Sequence, residues 1–595
     1  MKGAPRSEQF DDVYFSVDNG FAETQHVFLQ GNNLPAAWQG KQRFTIAETG
    51  FGTGLNFLCT WKLFTENSKP GQFLDFVSFE KFPLSYDEIS QALVPWKEEL
   101  DQFTAKLIKH YPIRVGGFHR IVFDEHVALT LIFGDVNDYL PQLRACVDCW
   151  FLDGFTPSKN PEMWSETLYS EMARLSHGDT RFATFTAAGD VRRGLECAGF
   201  FVEKKPGFGK KRDMIVGHFS YPEKRAHSNI YRNKKNVKKV AIIGGGLAGT
   251  ACAYALRQYG MKTAIYEKED ILGAGASGND VGLYNPRFSA LWEAEALYYS
   301  SAYAHAVRIA KISGDAADCN PCGTLHLITN ESRKKRYQKM LSQWPWHRDH
   351  MQKLSSDEAS AVAGIDIDSE AVFLPDAGSI SPKKLCHYFA RDSDMHFGQN
   401  ICDLDDLDCD AIILAHAINM IDFIPELPIY TVRGQITHIK NISNECLENL
   451  KTNLCYDGFI SASHDNFFTL GSTFQRDVGH VDVLDQDHYQ NIEAFCSVFP
   501  NDLKEGFDIV GGRSGLRVTS RDHFPVIGQV LGDKPIYYAG AFGSYGLVGS
   551  IAAAHLLADI IRNGPWSQPK KVVNALSAKR FLDRAIKKHI GPNKS

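Results

Sequence analysis

Three glycines at alternate positions follow an apolar strand near the N-terminus. The predicted strand Phe44–Glu48 ends in an acid, and Gly50, Gly52 and Gly54 come directly after it. Glycine lets the backbone turn sharply and approach a ligand, because no Cβ stands in the way. A helix is predicted next, which completes the strand–loop–helix arrangement in which α/β folds bind nucleotides. The segment therefore predicts a nucleotide-cofactor site.

Three further acids, Glu80, Asp135 and Asp153, each follow a predicted apolar strand. Because open α/β sheets bind ligands at the carboxyl ends of their strands, these acids are expected to face one ligand site. Glu80, one strand after Glu48, is placed to accept the ribose hydroxyls of a nucleoside. Asp153 is placed to orient an amine or to accept its proton. Lys159, in the segment that begins at Asp153, is a candidate to contact the substrate.

This series resembles the class I S-adenosylmethionine-dependent methyltransferases, whose first motif is E-x-G-x-G-x-G at a strand end. In that family the glycine loop packs against the methionine part of the cofactor, and an acid at the position of Asp135 lies near the adenine. The segment D-G-F-T-P-S-K-N-P-E-M-W, which begins at Asp153, stands where such enzymes place their acceptor-side motif. The resemblance implies Asp153 as the catalytic residue. It implies a cofactor site formed by Glu48, Gly50, Gly52, Gly54, Glu80 and Asp135.

A second glycine-rich loop, G-x-G-x-x-G, follows the apolar strand predicted over 237–244. Its glycines are Gly244, Gly246 and Gly249, and a helix is predicted directly after them. The next predicted strand ends in Glu267. This is the dinucleotide-binding fingerprint in its full context, with a tight turn, a helix N-terminus for the pyrophosphate and an acid for the ribose.

Downstream segments favour FAD over NAD. A small-residue loop, Gly273–Asn279, lets the chain pass close to a long flavin cofactor. With segments that begin at Gly511, Asp522 and Ala539, it resembles amine-oxidising flavoproteins of the D-amino-acid oxidase and glycine oxidase type. There a final glycine-rich turn begins a helix whose N-terminus faces the flavin and stabilises its anionic reduced form. The resemblance adds Ala276, Ser277, Gly543 and Gly546 to the FAD site.

Arginines near the C-terminal end are candidates to bind a substrate carboxylate. In enzymes of this type an arginine commonly forms a bidentate pair with that group. Arg513, Arg517 and Arg521 all carry the required side chain, and the sequence does not distinguish among them. The segment V-R-G-Q at 432–435 resembles a family motif that leads into the substrate-binding sheet.

The two sites, in this order on one chain, resemble the MnmC family of bifunctional tRNA-modifying enzymes, which make 5-methylaminomethyl-2-thiouridine at the wobble position. The resemblance covers nearly the whole chain. It implies that flavin-dependent oxidation removes the carboxymethyl group of 5-carboxymethylaminomethyl-(2-thio)uridine as glyoxylate and leaves 5-aminomethyl-(2-thio)uridine. Methylation of that amine by S-adenosylmethionine then gives 5-methylaminomethyl-(2-thio)uridine.

Two alternatives share both cofactor sites. The first is an amino-acid oxidase fused to a small-molecule N-methyltransferase, which would turn over free glycine or sarcosine. The second is a flavin-containing scaffold whose methyltransferase half only binds RNA. The acids at Glu48, Glu80, Asp135 and Asp153 argue against the scaffold, because binding alone does not need them.

Length and composition favour an α/β protein with several compact parts. The chain has 595 residues, of which 44% are hydrophobic, as is ordinary for a globular protein. We expect an N-terminal Rossmann-like class I methyltransferase fold, then a D-amino-acid-oxidase-like FAD fold with an inserted β-rich substrate domain. The predicted parts are a methyltransferase domain at 1–220, a basic linker at 221–236 and an oxidoreductase domain at 237–595, with FAD-binding parts at about 237–320 and 508–570 and a substrate-binding part at about 321–507.

The charge distribution bears on the expected tRNA partner. A formal net charge of −6 is unexpected for an RNA-binding protein, so tRNA binding requires a segregated basic face. Residues 204–239 contain twelve Lys or Arg and two acids. This stretch is either a solvated segment or a patch that contacts RNA phosphates.

Other features bear on location and metal binding. The N-terminal residues have no apolar run of signal-peptide type, and the apolar runs at 240–256 and 546–561 are interrupted by glycines or polar residues. Thirteen scattered cysteines, including the pairs Cys146–Cys149 and Cys319–Cys322, indicate reduced thiols rather than a disulfide framework or a metal site. We expect a cytoplasmic protein that binds no metal and no membrane, and a monomer.

Overall fold

The computed structural model describes residues 6–7, 11–14, 19–220, 237–441, 447–463, 467–499, 507–530, 532 and 534–583. The chain forms two compact units. Unit 1 is Met1–Asn236 with Asp559–Lys570, and unit 2 is Val237–Ala558 with Lys571–Ser595. The predicted linker at 221–236 lies outside the described residues.

Unit 1 is built around an eight-stranded sheet with helices between its strands. The strands of unit 1 are β1 Arg6–Ser7, β2 Asp12–Val13, β3 Arg43–Glu48, β4 Phe73–Glu80, β5 Gly117–Phe123, β6 Val127–Phe133, β7 Val147–Phe151, β8 Ser176–Thr184, β9 Phe200–Pro206 and β10 Asp213–Phe219. Of these, β1 and β2 form a separate two-stranded sheet. The helices of unit 1 are α1 Gly20–Glu23, α2 Leu55–Asn67, α3 Tyr86–Leu93, α4 Lys97–His110, α5 Val136–Tyr139, α6 Glu166–Leu175 and α7 Gly189–Cys197. The strand order in the sheet is β5-β6-β4-β3-β7-β8-β10-β9.

The strand β3 lies inside this sheet, with β4 on one side and β7 on the other, both parallel to it. The direction in which the chain adds strands reverses at β3, and such a switch point opens a crevice at the carboxyl ends of the strands. The strand is buried along nearly its whole length, as expected where helices cover both faces of a parallel sheet. The fold thus places the predicted glycine loop, which follows β3, at the ligand crevice.

The edges of the sheet are antiparallel. The strands β5 and β6 form an antiparallel hairpin at one edge and pair from Gly117 to Phe123. The strand β9 pairs antiparallel with β10 at the other edge. The last four residues of β9, 203–206, are exposed and carry three charges. Such residues suit an edge strand but do not give the apolar signal of a core strand.

One boundary differs from the sequence-based division. The prediction assigned all of 237–595 to the oxidoreductase domain and placed its second FAD-binding part at about 508–570. In the structure, the segment Asp559–Lys570 belongs to unit 1. The physical reason is a cluster of buried charges that this segment shares with two strands of the unit 1 sheet.

Asp75 on β4 is the centre of that cluster. It accepts a hydrogen bond of 2.6 Å from Arg120 on β5 and is also paired with Arg562. Arg120 lies 3.1 Å from Asp559 as well. These four side chains are at most 4% exposed. A buried charge that loses its partner is strongly destabilising, so the segment is held to unit 1.

Unit 2 contains, among its described residues, a six-stranded and a nine-stranded sheet. The strands of the second part of the chain are β11 Lys239–Ile243, β12 Lys262–Tyr266, β13 Gly282–Leu283, β14 Thr324–Leu327, β15 Gln352–Leu354, β16 Ala371–Leu374, β17 Ser379–Ile380, β18 Asp394–His396, β19 Ala411–Leu414, β20 Ile429–Asn441, β21 Asn453–Cys455, β22 Phe459–Ile460, β23 Phe468–Gly471, β24 Gln475–Arg476, β25 Phe507–Ser520, β26 Val526–Gln529 and β27 Ile536–Gly540. The helices are α8 Leu247–Arg257, α9 Ala294–Ser313, α10 Glu331–Gln343, α11 Ser356–Ala363, α12 Pro382–Ala390, α13 Asp485–Cys496, α14 Gly546–Ile561 and α15 Lys570–Leu576.

The six-stranded sheet has the order β18-β12-β11-β19-β27-β26 and is parallel except for β26. The range of about 321–507, predicted as one β-rich insertion, is not continuous in the structure. Two strands within it, β18 and β19, belong to the six-stranded sheet, where they pair with β12 and β11. The four apolar residues of β19 suit the interior of a parallel sheet. The nine-stranded sheet extends past residue 507, since β25 pairs along the whole of β20.

Further features bear on membranes, metals and thiols. The run Gly543–Ile561 is the one described helix long and apolar enough to cross a membrane, but 78% of it is buried inside the protein, as in the core helix of a globular domain. The described cysteines are free thiols. Among the described residues, no group of three His, Cys, Asp or Glu side chains is placed to hold a metal ion.

Candidate active sites

A cavity of about 570 Å³ opens at the switch point of the unit 1 sheet. Its walls come mainly from the loops that follow β3, β4, β6 and β7. That volume is typical of a cofactor or small-molecule site. Of the residues predicted for the methyl-transfer site, the cavity is lined by Gly50, Gly52, Glu80, Asp135 and Asp153.

The glycine loop has a backbone that other residues would not adopt. Gly54 ends the loop where α2 begins, with a φ of +80°, and a Cβ there would lie 2.8 Å from the Phe51 ring. Within the loop, the Gly52 N–H donates to Glu80 Oε2 at 2.8 Å. The loop backbone and the acid of the next strand are therefore held together at the cavity.

Glu80 and Asp135 are fixed by different partners. Glu80 Oε1 accepts the Phe82 N–H at 2.8 Å, and burial raises its pKa. Asp135 accepts the Asn137 N–H at 2.9 Å and pairs with Lys81 at 2.8 Å. Burial alone would raise the pKa of Asp135, but Lys81 and Asn137 hold it below its usual value. Both acids are thus oriented acceptors at the cavity wall, as the nucleoside part of a cofactor requires.

Asn56 joins Asp153 and Glu48 into one cluster. Its Nδ2 donates to Asp153 Oδ2 at 2.7 Å and to Glu48 Oε1 at 2.9 Å. The Thr24 hydroxyl donates to Asn56 Oδ1 at 2.7 Å, which fixes the direction of the amide. Asp153 Oδ1 accepts the Gly154 N–H at 2.8 Å. The Asp153 carboxylate is therefore held in one orientation.

Burial raises the pKa of both acids in this cluster. The pKa of Asp153 rises to about 7. Burial, together with the neighbouring Asp153 charge, raises the pKa of Glu48 to about 8. Glu48 is 0% exposed, and its second oxygen accepts the Ser78 hydroxyl at 2.6 Å. Glu48 thus lies beneath the cavity and reaches it through Asn56, whereas Asp153 lines it with a pKa suited to proton transfer near neutral pH.

Lys159, predicted to contact the substrate, is engaged by the N-terminal segment. Its Nζ donates to the Asp11 carbonyl oxygen and lies 3.7 Å from Asp12. Asp12 accepts the N–H and the hydroxyl of Thr156 at 3.0 and 2.8 Å. Asp12 and Thr156 both line the cavity, so Lys159 helps to hold the N-terminal segment over the acceptor-side motif.

Acids neutralise part of the described basic stretch 204–239. Lys210 lines the cavity. Lys204, Lys205 and Lys211 pair with Asp213, Glu203 and Glu23. The rest of the predicted patch, at 221–236, lies outside the described residues.

In unit 2, the loop between β11 and α8 has the geometry of a dinucleotide site. A Cβ on Gly249 would lie 1.9 Å from the Gly244 carbonyl oxygen, so only glycine lets α8 pack this closely on the strand. Gly246 is the N-cap of α8. Glu267, after β12, accepts the Gly245 N–H at 2.6 Å. The helix N-terminus and the acid therefore meet at one loop, as the fingerprint predicts.

The loop Gly273–Asn279 lies against the same helix N-terminus. Ser277, which follows Ala276, accepts the Leu247 N–H on its hydroxyl at 3.0 Å, where a helix dipole favours a phosphate. Arg513 donates to two carbonyl oxygens of this loop, at 2.7 and 2.5 Å. Arg513 is thus occupied in fixing the loop.

Arg517 differs from the other two candidate arginines. Its guanidinium lies against Gly434 on β20, where a Cβ would stand within 2.6 Å of three guanidinium atoms. Its Nη1 is buried and has no hydrogen-bond partner among the described residues, and burial lowers its pKa to about 10. Arg521 is exposed. A buried cationic donor without a hydrogen-bond partner costs free energy. Of the three arginines, Arg517 is therefore the candidate to bind a substrate anion.

The predicted closing turn lies beside the strand that carries Arg517. Gly543 begins a helical turn with a φ of +57°, and α14 begins at Gly546. Phe542, just before the turn, forms a bridge with Thr519 on β25. The strand β25 thus connects Arg517 to the predicted closing turn.

Comparison with known families identifies both parts of the chain. A family model described as FAD dependent oxidoreductase matches residues 239–560, and one described as S-adenosyl-L-methionine-dependent methyltransferase matches residues 98–220. The fold of unit 2 is similar to glycine oxidase from Geobacillus kaustophilus, with a TM-score of 0.50 and 18% identity over 58% of this chain and 99% of that one. The fold and sites define a methyltransferase joined to a FAD-dependent oxidoreductase, and the predicted fold class and both cofactors are confirmed.

Full-length relatives define the family. The chain is 35% identical to the tRNA 5-methylaminomethyl-2-thiouridine biosynthesis bifunctional protein MnmC of Methylobacillus flagellatus, over 98% of this chain and 95% of that protein. It is also 35% identical to the protein of that name from Aliivibrio fischeri, over 98% of this chain and 96% of the relative. The chain belongs to the MnmC family of bifunctional proteins.

Proposed function

We propose that this protein converts 5-carboxymethylaminomethyl-(2-thio)uridine at the tRNA wobble position into 5-methylaminomethyl-(2-thio)uridine. Oxidation in unit 2 comes first and frees a primary amine, and unit 1 then methylates that amine. The observation that carries the proposal is membership of the MnmC family over 98% of the chain. The unpartnered Nη1 of Arg517 in unit 2 and the oriented carboxylate of Asp153 in unit 1 support it. We also propose that the protein acts as a cytoplasmic monomer without a metal.

The first substrate is in effect an N-substituted glycine. Bound FAD supplies the hydride acceptor for its α-carbon. Water adds to the C=N bond left on the substrate, and cleavage releases glyoxylate and leaves the primary amine on the uridine. Arg517 binds the carboxylate, which satisfies its free Nη1, and its contact with Gly434 fixes where the α-carbon lies.

The second step is methyl transfer to nitrogen. S-adenosylmethionine supplies the methyl group, and Gly50, Gly52, Glu80 and Asp135 line the cavity that would hold it. The amine must arrive with its lone pair free and directed at the methyl group, so positioning supplies much of the rate. Asp153, held by Asn56 and Gly154, orients the amine and accepts its proton.

The pH dependence of methylation tests the role of Asn56. Asp153 must be ionised to accept a proton, and its pKa is about 7, so the methylation rate should rise with pH through the neutral range. The hydrogen bond from Asn56 favours the ionised form. Asn56→Leu should therefore move the rise to higher pH and lower the rate at pH 6.5 by about tenfold, as loss of a hydrogen bond to a charged group predicts. An unmoved profile, in a variant that still binds S-adenosylmethionine, would remove this role.

Flavin content tests the dinucleotide loop. Gly249→Ala should abolish FAD binding, because the added Cβ would lie 1.9 Å from the Gly244 carbonyl oxygen. Gly479→Ala is the matched control, because a Cβ there meets nothing within 4 Å and Gly479 lies outside both predicted FAD loops. The absorbance of purified protein reports bound flavin. Equal flavin content in the two variants would contradict the assigned site.

A stepwise reaction in vitro tests the proposed order. Anaerobic mixing with tRNA that carries the carboxymethylaminomethyl group should bleach the oxidised flavin and yield the aminomethyl nucleoside. Addition of S-adenosylmethionine should then yield the methylaminomethyl nucleoside. Free glycine and sarcosine should leave the flavin oxidised. Flavin reduction by those amino acids, with none by the tRNA, would favour the small-molecule alternative.

A further inference from the structure

The helix α10 in unit 2 carries an unusual excess of positive charge. Its sequence, E-S-R-K-K-R-Y-Q-K-M-L-S-Q, contains five Lys or Arg and one acid. Lys335, Arg336 and Lys339 are exposed, and among the described residues none of them forms an ion pair with a carboxylate. The spacings of three and four residues put these three side chains on one face of the helix. We call these three residues the α10 strip.

The opposite face of α10 is fixed to the domain. Tyr337 and Met340 are buried. Arg333 is 13% exposed, donates to the Leu327 carbonyl oxygen at 3.2 Å and pairs with Asp457 at 2.8 Å. Arg333 therefore has a structural role, and it holds the strip on a rigid helix whose exposed face is free to contact a ligand.

The strip works against the stability of its own helix. Like charges at spacings of three and four residues repel, as in the pairs Arg336–Lys339 and Lys335–Lys339, and each such pair destabilises a helix. Other basic residues of the described chain that lie close in sequence are paired with acids, as are Lys204, Lys205 and Lys211. An unneutralised strip is explained if a polyanion supplies the missing charge.

The strip begins close to the proposed oxidation site. Arg336 lies 5.1 Å from the centre of the Tyr337 ring. The charges of Arg336 and Arg287 both act on the hydroxyl of Tyr545 and offset part of the rise in pKa that burial causes there. Tyr545 belongs to the closing turn Gly543–Tyr545. The first part of the strip therefore lies on the side of unit 2 that carries the closing turn.

We propose that Lys335, Arg336 and Lys339 bind the phosphate backbone of RNA and hold it while a modified base enters the flavin site. This inference rests on the proposed function, since it identifies how unit 2 engages its tRNA. The net charge of −6 repels RNA from the protein as a whole, so a local strip of this kind is required. A protein partner is less suited, because the centres of protein interfaces are poor in lysine and rich in aromatic residues.

Charge reversal of the strip is the test. The variant is Lys335→Glu/Arg336→Glu/Lys339→Glu, and the matched control is Lys262→Glu/Arg391→Glu/Lys579→Glu, which changes three exposed cations on other elements of the described chain by the same amount. Filter binding of the flavin-loaded proteins to tRNA over a series of salt concentrations gives the Kd and its salt slope. The strip variant should raise Kd by about 10-fold or more and reduce the slope by about two to three, whereas the control should stay near the starting protein.

Each outcome decides a separate question. Equal Kd and salt slope in the strip variant and the control would overturn the RNA-binding strip, whether or not the enzyme is active. Flavin reduction by saturating modified tRNA tests the proposed function by itself. The strip variant should still reach the starting rate of flavin reduction at saturation, because it leaves Arg517 and the FAD loop intact. A starting protein that binds tRNA through the strip but is never reduced by it would leave the strip in place and refute the proposed oxidation.

Discussion

Arg517→Met is expected to lower kcat/KM for oxidation of modified tRNA by about 10²–10³-fold while methylation of aminomethyl tRNA continues. The buried guanidinium has a free Nη1, and loss of one partner of a buried charge pair costs about 2–5 kcal/mol. Methionine keeps much of the side-chain volume and removes the charge. Anaerobic flavin reduction measured with increasing tRNA concentration gives the effect on oxidation.

Two further variants make this result specific. Arg521→Met removes an exposed arginine from the end of the same sheet and should leave oxidation near its starting rate. Gly434→Ala should impair oxidation although it removes no polar group, because its Cβ would displace the Arg517 guanidinium. Full oxidation by Arg517→Met together with loss of oxidation by Arg521→Met would show that the carboxylate is bound elsewhere.

Asp153→Asn is expected to lower the methylation rate by about 10²–10⁴-fold, the range in which a positioned acid or base acts. The asparagine keeps the shape of the side chain but cannot accept a proton. Because Asp153 lies in unit 1, flavin reduction by the carboxymethylaminomethyl tRNA should be unchanged. The aminomethyl nucleoside should then accumulate, and mass analysis of digested tRNA measures it.

Asp138→Asn is the control for this variant. Asp138 is an exposed acid on α5 and does not belong to the walls of the described cavity. Its replacement should leave the methylation rate within about twofold, as surface substitutions usually do. Wild-type methylation by Asp153→Asn would show that the Asp153 carboxylate does not act as the base.

The parts of the sites that follow from sequence are those whose chemistry is local. The Gly244–Gly249 loop, its strand and its helix are contiguous in sequence, and Glu267 lies one strand further on. The sequence motif alone therefore predicts the geometry of the dinucleotide site. The acids Glu80, Asp135 and Asp153 could be placed because each ends or follows a strand in the parallel part of one sheet. For the same reason the strands predicted over Phe44–Glu48 and 237–244 agree with β3 and β11 to within a few residues at their ends.

The parts that did not follow from sequence depend on contacts between distant segments. Nothing near Asn56 in the sequence shows that its amide bridges Glu48 and Asp153, because that requires the packing of α2 against two strand ends. The choice of Arg517 required β25 to pair with β20, which brings Gly434 against the guanidinium. The assignment of 559–570 to unit 1 required the buried partners of Asp75, which a hydrophobic pattern does not reveal.

Nucleoside mass analysis of tRNA from cells that lack this protein tests the central claim most directly. The deletion should accumulate the 5-carboxymethylaminomethyl form and lose the 5-methylaminomethyl form. Cells that carry Arg517→Met should still accumulate the carboxymethylaminomethyl form, whereas cells that carry Asp153→Asn should accumulate the aminomethyl form. An unchanged level of the methylaminomethyl nucleoside in the deletion, or accumulation of an earlier form, would contradict the account.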